Sequence, residues 1–278
     1  MDRAADVPEY PAQSEDSARV NDYDSFAQAY SAETENSLVN AFYERPAMLD
    51  LAGDVAGRRI LDAGCGTGPL SAALRDRGAV VTGIDASAEM LALARRRLGS
   101  DMALQLVDLR DRLPFTDGAF DDVVASLVLH YLEEWGPTLA ELRRVLRPGG
   151  RLIASVDHPF VAFMISKPRP DYFATTSYDF SWTLNGQSVP MRFWRKPLHA
   201  MTDAFTAAGF RLSSISEPQP DPAARELFPD GFRDLSTRTT FLFFVLEVPP
   251  SPATGPVGES AVDHERRQNP PASTENAQ

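Results

Sequence analysis

Apolar residues along the chain gather into short runs, separated by stretches where they recur at helical spacing. Arg59–Asp62, Ala79–Ile84, Ala103–Val107, Phe120–Ser126 and Arg151–Val156 are aliphatic or β-branched runs and predict five strands. Between them, Leu70–Arg77, Ala88–Leu98 and Pro137–Leu146 predict helices; in the second, Met90, Leu91, Leu93, Ala94 and Leu98 can supply one apolar face. Arg147-Pro148-Gly149-Gly150 is expected to end the third helix, since proline cannot continue it and glycine supplies the turn. Strand, helix and strand at this spacing imply a parallel sheet with helices on both faces.

After the fifth strand the rhythm breaks. Residues 160–196 hold Phe160, Phe163, Tyr172, Phe173, Tyr178, Phe180, Trp182, Phe193 and Trp194, nine of the 26 aromatics in the 278-residue chain. Regularity returns with a helix at Leu198–Ala208, closed by Gly209, a strand at Phe210–Ile215, and a buried strand at Thr239–Leu246. The ends differ from the rest. Residues 1–20 are acidic with few large apolar side chains, and residues 249–278 are proline-rich and polar. Both are expected to be disordered tails, because neither can bury enough apolar surface to offset its ordering entropy. A single domain is expected over residues 21–248, with 160–196 as an insert.

Charge changes this picture little. The formal net charge is −12, and residues 1–35 carry most of it, with nine acids against two arginines. The acidity still argues against a nucleic-acid partner, which is bound through Lys and Arg. The single cysteine, Cys65, allows no intrachain disulfide and no multi-cysteine zinc site, and no metal is expected. No run approaches the roughly 20 apolar residues of a membrane span. The first residues lack a secretory pattern, so a cytoplasmic address is expected. Oligomeric state is left open.

The chemistry starts where the first strand ends, in Asp62-Ala63-Gly64-Cys65-Gly66-Thr67-Gly68. Glycines there let bare backbone approach a ligand. Asp85 and Asp108 close the second and third strands, and acids at the carboxyl ends of parallel strands can accept hydrogen bonds from ribose hydroxyls and an adenine amino group. A dinucleotide loop needs a third glycine where this chain has Pro69. An acid before the loop, with no basic residue in it, suits a cationic ligand better than a diphosphate.

Ile60-Leu61-Asp62-Ala63-Gly64-Cys65-Gly66-Thr67-Gly68 resembles the signature loop of class I S-adenosylmethionine-dependent methyltransferases. The likeness continues through Val81–Ser87, Leu113-Pro114-Phe115, Phe120-Asp121 and Leu142–Gly150, over roughly residues 22–248, and points to the subgroup that includes ubiquinone and menaquinone methyltransferases. It implies an α/β fold: a doubly wound, mostly parallel, seven-stranded Rossmann-like sheet, its last strand antiparallel, with an aromatic-rich cover after strand 5. It implies S-adenosylmethionine as cofactor. Asp62, Gly64, Cys65 and Gly66 would hold the methionine moiety, Asp85 and Ala86 the ribose, and Asp108 and Leu109 the adenine. Ser126 would line the sulfonium end. Tyr30, matching a tyrosine that closes over the cofactor in related enzymes, would either do so or pack a leading helix on the core.

Methyl transfer needs alignment and exclusion of water more than a catalytic group, and a general base is optional. His130 and His158 are the candidate catalytic residues; for His130 a packing role is the better reading, and His158 is equally open to contact with substrate. The insert reads as a substrate cover built on Phe163, Tyr178, Trp182 and Trp194, or as a satellite core over the sheet. His199, at a helix start, is a capping or surface residue unless it reaches the pocket. The expected function is methyl transfer to an O, N or C atom of a small, partly apolar metabolite. The alternatives are a peptide or protein amine methyltransferase, and a cofactor-binding protein of the same fold without methyl transfer.

Overall fold

The five apolar runs become parallel strands β1 (Arg59–Ala63), β2 (Val80–Asp85), β3 (Ala103–Leu106), β4 (Phe120–Ala125) and β5 (Leu146–Asp157). The computed structural model describes residues 21–184 and 186–250, so the acidic tail at 1–20 and the proline-rich tail from 251 onward lie outside the described residues. A short hairpin apart, the strands form one sheet in the order β3-β2-β1-β4-β5-β9-β8. There β9 (Phe241–Glu247) runs antiparallel between β5 and β8 (Arg211–Ser216). The chain winds outward from β1 to β3 and returns beside β1 as β4. At that switch point a crevice opens beyond the carboxyl ends of the strands, where ligands bind in such sheets.

Both faces of the central strands are covered, because successive side chains of a strand point to opposite sides. Leu61, Val123 and Leu152 join the core under α5 (Gly136–Val145) and α7 (Leu198–Ala207). Their neighbours Ile60, Val124 and Ile153 join the core under α2 (Arg45–Ala52), α3 (Pro69–Asp76) and α4 (Ala88–Leu98). Helix α1 (Tyr23–Glu35) leads in, and a π-helical turn at Asn40–Glu44 runs straight into α2. The remaining helices, α8 (Ala224–Leu227) and α9 (Pro229–Leu235), precede β9.

Two segments depart from expectation. Pro148-Gly149-Gly150 does not separate helix from strand. β5 starts at Leu146, pairs with Phe120, then slips register to set Arg151 against Asp122. Gly149, at φ 74°, and Gly150, where a Cβ would sit 2.8 Å from the Arg147 carbonyl oxygen, make a bulge that only glycine fits. The aromatic insert is also more regular than its sequence suggests. After α6 (Pro159–Ile165) it forms a hairpin of β6 (Thr176–Leu184) and β7 (Gln187–Arg195). Tyr178, Phe180 and Trp182 lie opposite Phe193, Met191 and Val189, on a face that packs against Tyr23, Phe26 and Tyr30 of α1.

At the amino ends of the strands, Asp122 is fully buried on β4 and clamped by two arginines. Arg58 donates through Nη2 at 2.7 Å, and Arg151 through Nε and Nη2 at 2.8 and 2.9 Å. The guanidiniums also donate to the carbonyls of Asp121 and Ala52, so the cluster ties β1, β4, β5 and the end of α2 together. Breaking a buried pair by removing one partner leaves uncompensated charge. Asp122→Ala is therefore expected to cost roughly 3–5 kcal/mol in urea unfolding, against under 1 kcal/mol for the exposed Asp230→Ala.

Candidate active site

A cavity of about 1060 Å³ opens at the carboxyl ends of β1, β2, β4 and β5, with the hairpin and α1 forming its far wall. All ten residues assigned to the cofactor from sequence line it: Tyr30, Asp62, Gly64, Cys65, Gly66, Asp85, Ala86, Asp108, Leu109 and Ser126. The loop between β1 and α3 takes its shape from Gly64, Gly66 and Gly68, at φ 78°, 54° and 80°. A Cβ on Gly64 would lie 2.5 Å from Val128 Cγ2, so a side chain there is excluded by both backbone and space.

The acids are held by donors from several elements. Asp62, 1% exposed, accepts the Ser71 hydroxyl of α3 at 2.6 Å. Burial pushes its carboxyl up to about 7, the Ser71 hydrogen bond opposing and the charges of Asp85 and Glu44 adding. Asp85 accepts the Gly66 and Ser87 N–H groups at 2.8 and 2.9 Å, and burial raises its carboxyl against those bonds. Asp108, expected to face the adenine amino group, is paired within the chain. Arg110 grips its carboxylate from the side chain and from the backbone N–H at 2.9 Å, and holds it below the usual carboxylate range.

Glu44, which the sequence reading missed, is, with Asp62, a second buried carboxylate in this cavity. It ends the π-helical turn and accepts hydroxyl hydrogens from Ser126 and Ser155 at 2.6 and 2.7 Å, while burial raises its carboxyl. An acid directly after the apolar Ala41-Phe42-Tyr43 was the available signal. Its neighbour Arg45 also lines the cavity, and burial lowers its guanidinium. Arg97 donates to the Thr67 carbonyl of the glycine loop at 2.9 Å.

Tyr30 stacks on Trp182, with ring centroids 5.4 Å apart, and burial pushes its phenol up to about 12. It both packs α1 against the hairpin and lines the cavity. Beyond it lie Tyr23 and Tyr131, whose hydroxyls meet, and Phe193. His130 is 5% exposed and, through burial, more easily deprotonated than usual; its Nδ1 accepts the Asp157 N–H at 3.2 Å. The Nδ1 of His158 caps α6 by accepting the Phe160 N–H, and its Nε2 lies 3.1 Å from Glu217. Tyr178 donates to Asp157 at 2.5 Å.

Of the expected substrate residues, Tyr178, Trp182 and His158 line the cavity, whereas Phe163, Trp194 and His199 do not. Trp194 follows the inward Phe193 on a strand and so faces the other side. Phe163 packs on Tyr172, and the cavity instead meets Val161, Ala162 and Ile165 of α6. His199 sits near the exposed Phe173. Among the described residues no cluster of His, Cys, Asp or Glu is placed to hold a metal, and no helix is long and apolar enough to cross a membrane.

Residues 61–154, about a third of the chain, match the family model described as a methyltransferase domain. A demethylmenaquinone methyltransferase of Clavibacter sepedonicus is 42% identical over 134 residues, covering 47% of this chain and 54% of that protein. A malonyl-[acyl-carrier protein] O-methyltransferase of Serratia marcescens is 40% identical over 39% of this chain and 42% of its own length. The chain thus spans about half the length of the curated relatives it matches. An S-adenosylmethionine dependent methyltransferase of Mesorhizobium loti superposes with a TM-score of 0.60 at 26% identity, over 73% of this chain and 96% of that one.

The donor set fits S-adenosylmethionine: buried carboxylates with raised proton affinity face a ligand that carries two cationic groups. Bound cation favours the ionised acids, so binding must expel protons. Affinity is expected to rise with pH up to the titration of Asp62 near 7 and to level off above it. Stability without ligand should run the other way. An acid whose folded-state value is raised stabilises the fold at low pH and loses that contribution as pH climbs from about 4 to 7. Calorimetry in buffers of different ionisation enthalpy checks the first, and Tm against pH, flattened by Asp62→Asn, checks the second.

Proposed function

We propose that this chain, a class I S-adenosylmethionine-dependent methyltransferase by fold and cofactor site, transfers a methyl group to an O, N or C atom of a small, partly apolar metabolite. The carrying observation is that one cavity joins the glycine loop and its acids to the aromatic face of the hairpin. Its volume, about 1060 Å³, is at the upper end for small-molecule sites and has room for a nucleoside and a second molecule. Of the groups named in the relatives, an apolar quinone-type ring suits these walls. The acid-rich lining disfavours nucleic acid, and a cytoplasmic address suits a chain whose one cysteine is a buried free thiol.

When bound, S-adenosylmethionine supplies a methyl carbon already activated by a positive sulfur. The chain's own residues orient and seal. Asp62 and Glu44 would neutralise the cationic end, with Arg45 available to the methionine carboxylate, and Asp85 would receive the ribose hydroxyls. Leu109 and Asp108 would hold the adenine. Tyr30, Trp182 and Phe193 exclude water from the line of transfer, which matters because proximity and alignment supply most of the rate.

Titration with S-adenosylmethionine tests the cofactor half of this reading. Asp85→Ala and Gly64→Ala should each weaken binding at least tenfold, about 1.4 kcal/mol, with the fold intact by circular dichroism. Wild-type protein that fails to bind at millimolar cofactor would sink the assignment. Labelled cofactor offered with phenols, amines and cell extract tests the transfer half. With any acceptor so found, Trp182→Ala should raise KM or lower kcat at least tenfold, whereas Trp194→Ala should change either less than threefold.

A further inference from the structure

Four kinds of group at the acceptor end of the cavity could take a proton, and their hydrogen bonds separate them. His130 uses the Nδ1 lone pair to accept the Asp157 N–H, so its proton sits on Nε2 and it can only donate toward the cavity. His158 uses Nδ1 to accept the Phe160 N–H, and its Nε2 faces Glu217 at 3.1 Å, so neither nitrogen offers a lone pair to a substrate. Burial also favours the uncharged form of each ring. The hydroxyls of Tyr23 and Tyr131 engage each other, and burial drives both phenols further from ionising.

Asp157 remains. It ends β5 and lines the cavity, its side chain 27% exposed. Oδ2 accepts the Tyr178 hydroxyl at 2.5 Å and stands 3.7 Å from His130 Nδ1, while Oδ1 accepts no hydrogen bond among the described residues. Of the cations lining the cavity, Arg110 is paired with Asp108 and Arg45 follows Glu44 in the chain. Asp157 is thus the carboxylate of this set with an oxygen left open beside the aromatic hairpin.

We propose that Asp157 receives the acceptor's proton, that Tyr178 positions it, and that the acceptor is an uncharged O–H or N–H group on an apolar frame rather than a carboxylate. This rests on the methyltransferase reading above and deepens it. The acceptor's O–H or N–H bond breaks and the proton passes to Oδ1 of Asp157. The electron pair left on oxygen or nitrogen forms the bond to the methyl carbon, and the pair of the broken carbon–sulfur bond stays on sulfur. Sulfonium and carboxylate become thioether and carboxylic acid, so charge balances. An anionic acceptor would instead meet the Asp157 carboxylate, a like-charge repulsion that selects against it.

The test titrates 2-naphthol and 2-naphthoate, one frame with two end groups, into protein loaded with S-adenosylhomocysteine. Wild type should bind 2-naphthol at least tenfold more tightly. Asp157→Asn should bring the ratio below threefold by tightening 2-naphthoate, and should leave the Kd for the loaded nucleoside within twofold. Methylation of 2-naphthol should fall at least 100-fold in that variant, in the range for loss of a general base. Wild type that binds 2-naphthoate as well as 2-naphthol, or a ratio unmoved by Asp157→Asn, overturns the proposal. Wild type that fails to bind S-adenosylhomocysteine overturns the methyltransferase reading beneath it.

Discussion

Asp62 and Glu44 are held out of water and Asp85 partly so within a single cavity, and the free energy of keeping these acids there is the constraint around which the site is arranged. A buried charge is tolerated only when hydrogen-bonded or paired. Their donors come from different places: Ser71 on α3, Gly66 in the loop, Ser87 after β2, Ser126 after β4 and Ser155 on β5. Each hydrogen bond that satisfies an acid therefore also fixes one element relative to the next. What the donors leave unsatisfied is charge, and a ligand with cationic groups supplies it. The clamp on Asp122 at the other end of the sheet works differently, for there the arginines are internal and complete.

Helix α1 and the hairpin turn this charged crevice into a closed site. Toward α4, the helix is fastened by polar contacts: Ser87 Oγ donates to Asp24 at 2.5 Å, the Glu89 N–H donates to the same oxygen at 3.1 Å, and Arg97 bonds Glu35 at 2.9 Å. Toward the hairpin it is fastened by rings, Tyr23, Phe26 and Tyr30 against Trp182. The same helix thus bridges the cofactor end and the acceptor end. The wall it completes is largely aromatic, with the Tyr23 and Tyr131 hydroxyls drawn into mutual contact.

The carboxyl end of β5 extends the rule that governs β1 and β2. An acid at the end of a parallel strand points into the crevice, and Asp157 stands there as Asp62 and Asp85 do. The histidines beside it look like the chemical groups of the site when only their positions are known. Once their hydrogen bonds are assigned they become supports: His130 receives the strand's own N–H, and His158 caps a helix.

Local pattern determined the parallel strands, the glycine loop and its acids, because apolar runs, glycines and strand-end acids lie within a few residues of one another. Which face each of Ile60, Leu61, Val123 and Val124 covers came from the fold, since all four are apolar and both faces are buried. The tertiary structure decided what depends on distant segments meeting. Glu44 entered the site because a π-helical turn set it between Ser126 and Ser155, more than 80 residues further along. Trp194 left it because a strand register turned Phe193 inward, and strand parity cannot be read from a run of aromatics whose pairing is unknown. Which histidine nitrogen is occupied was likewise settled by distant partners, Asp157 for Nδ1 of His130 and Glu217 for Nε2 of His158.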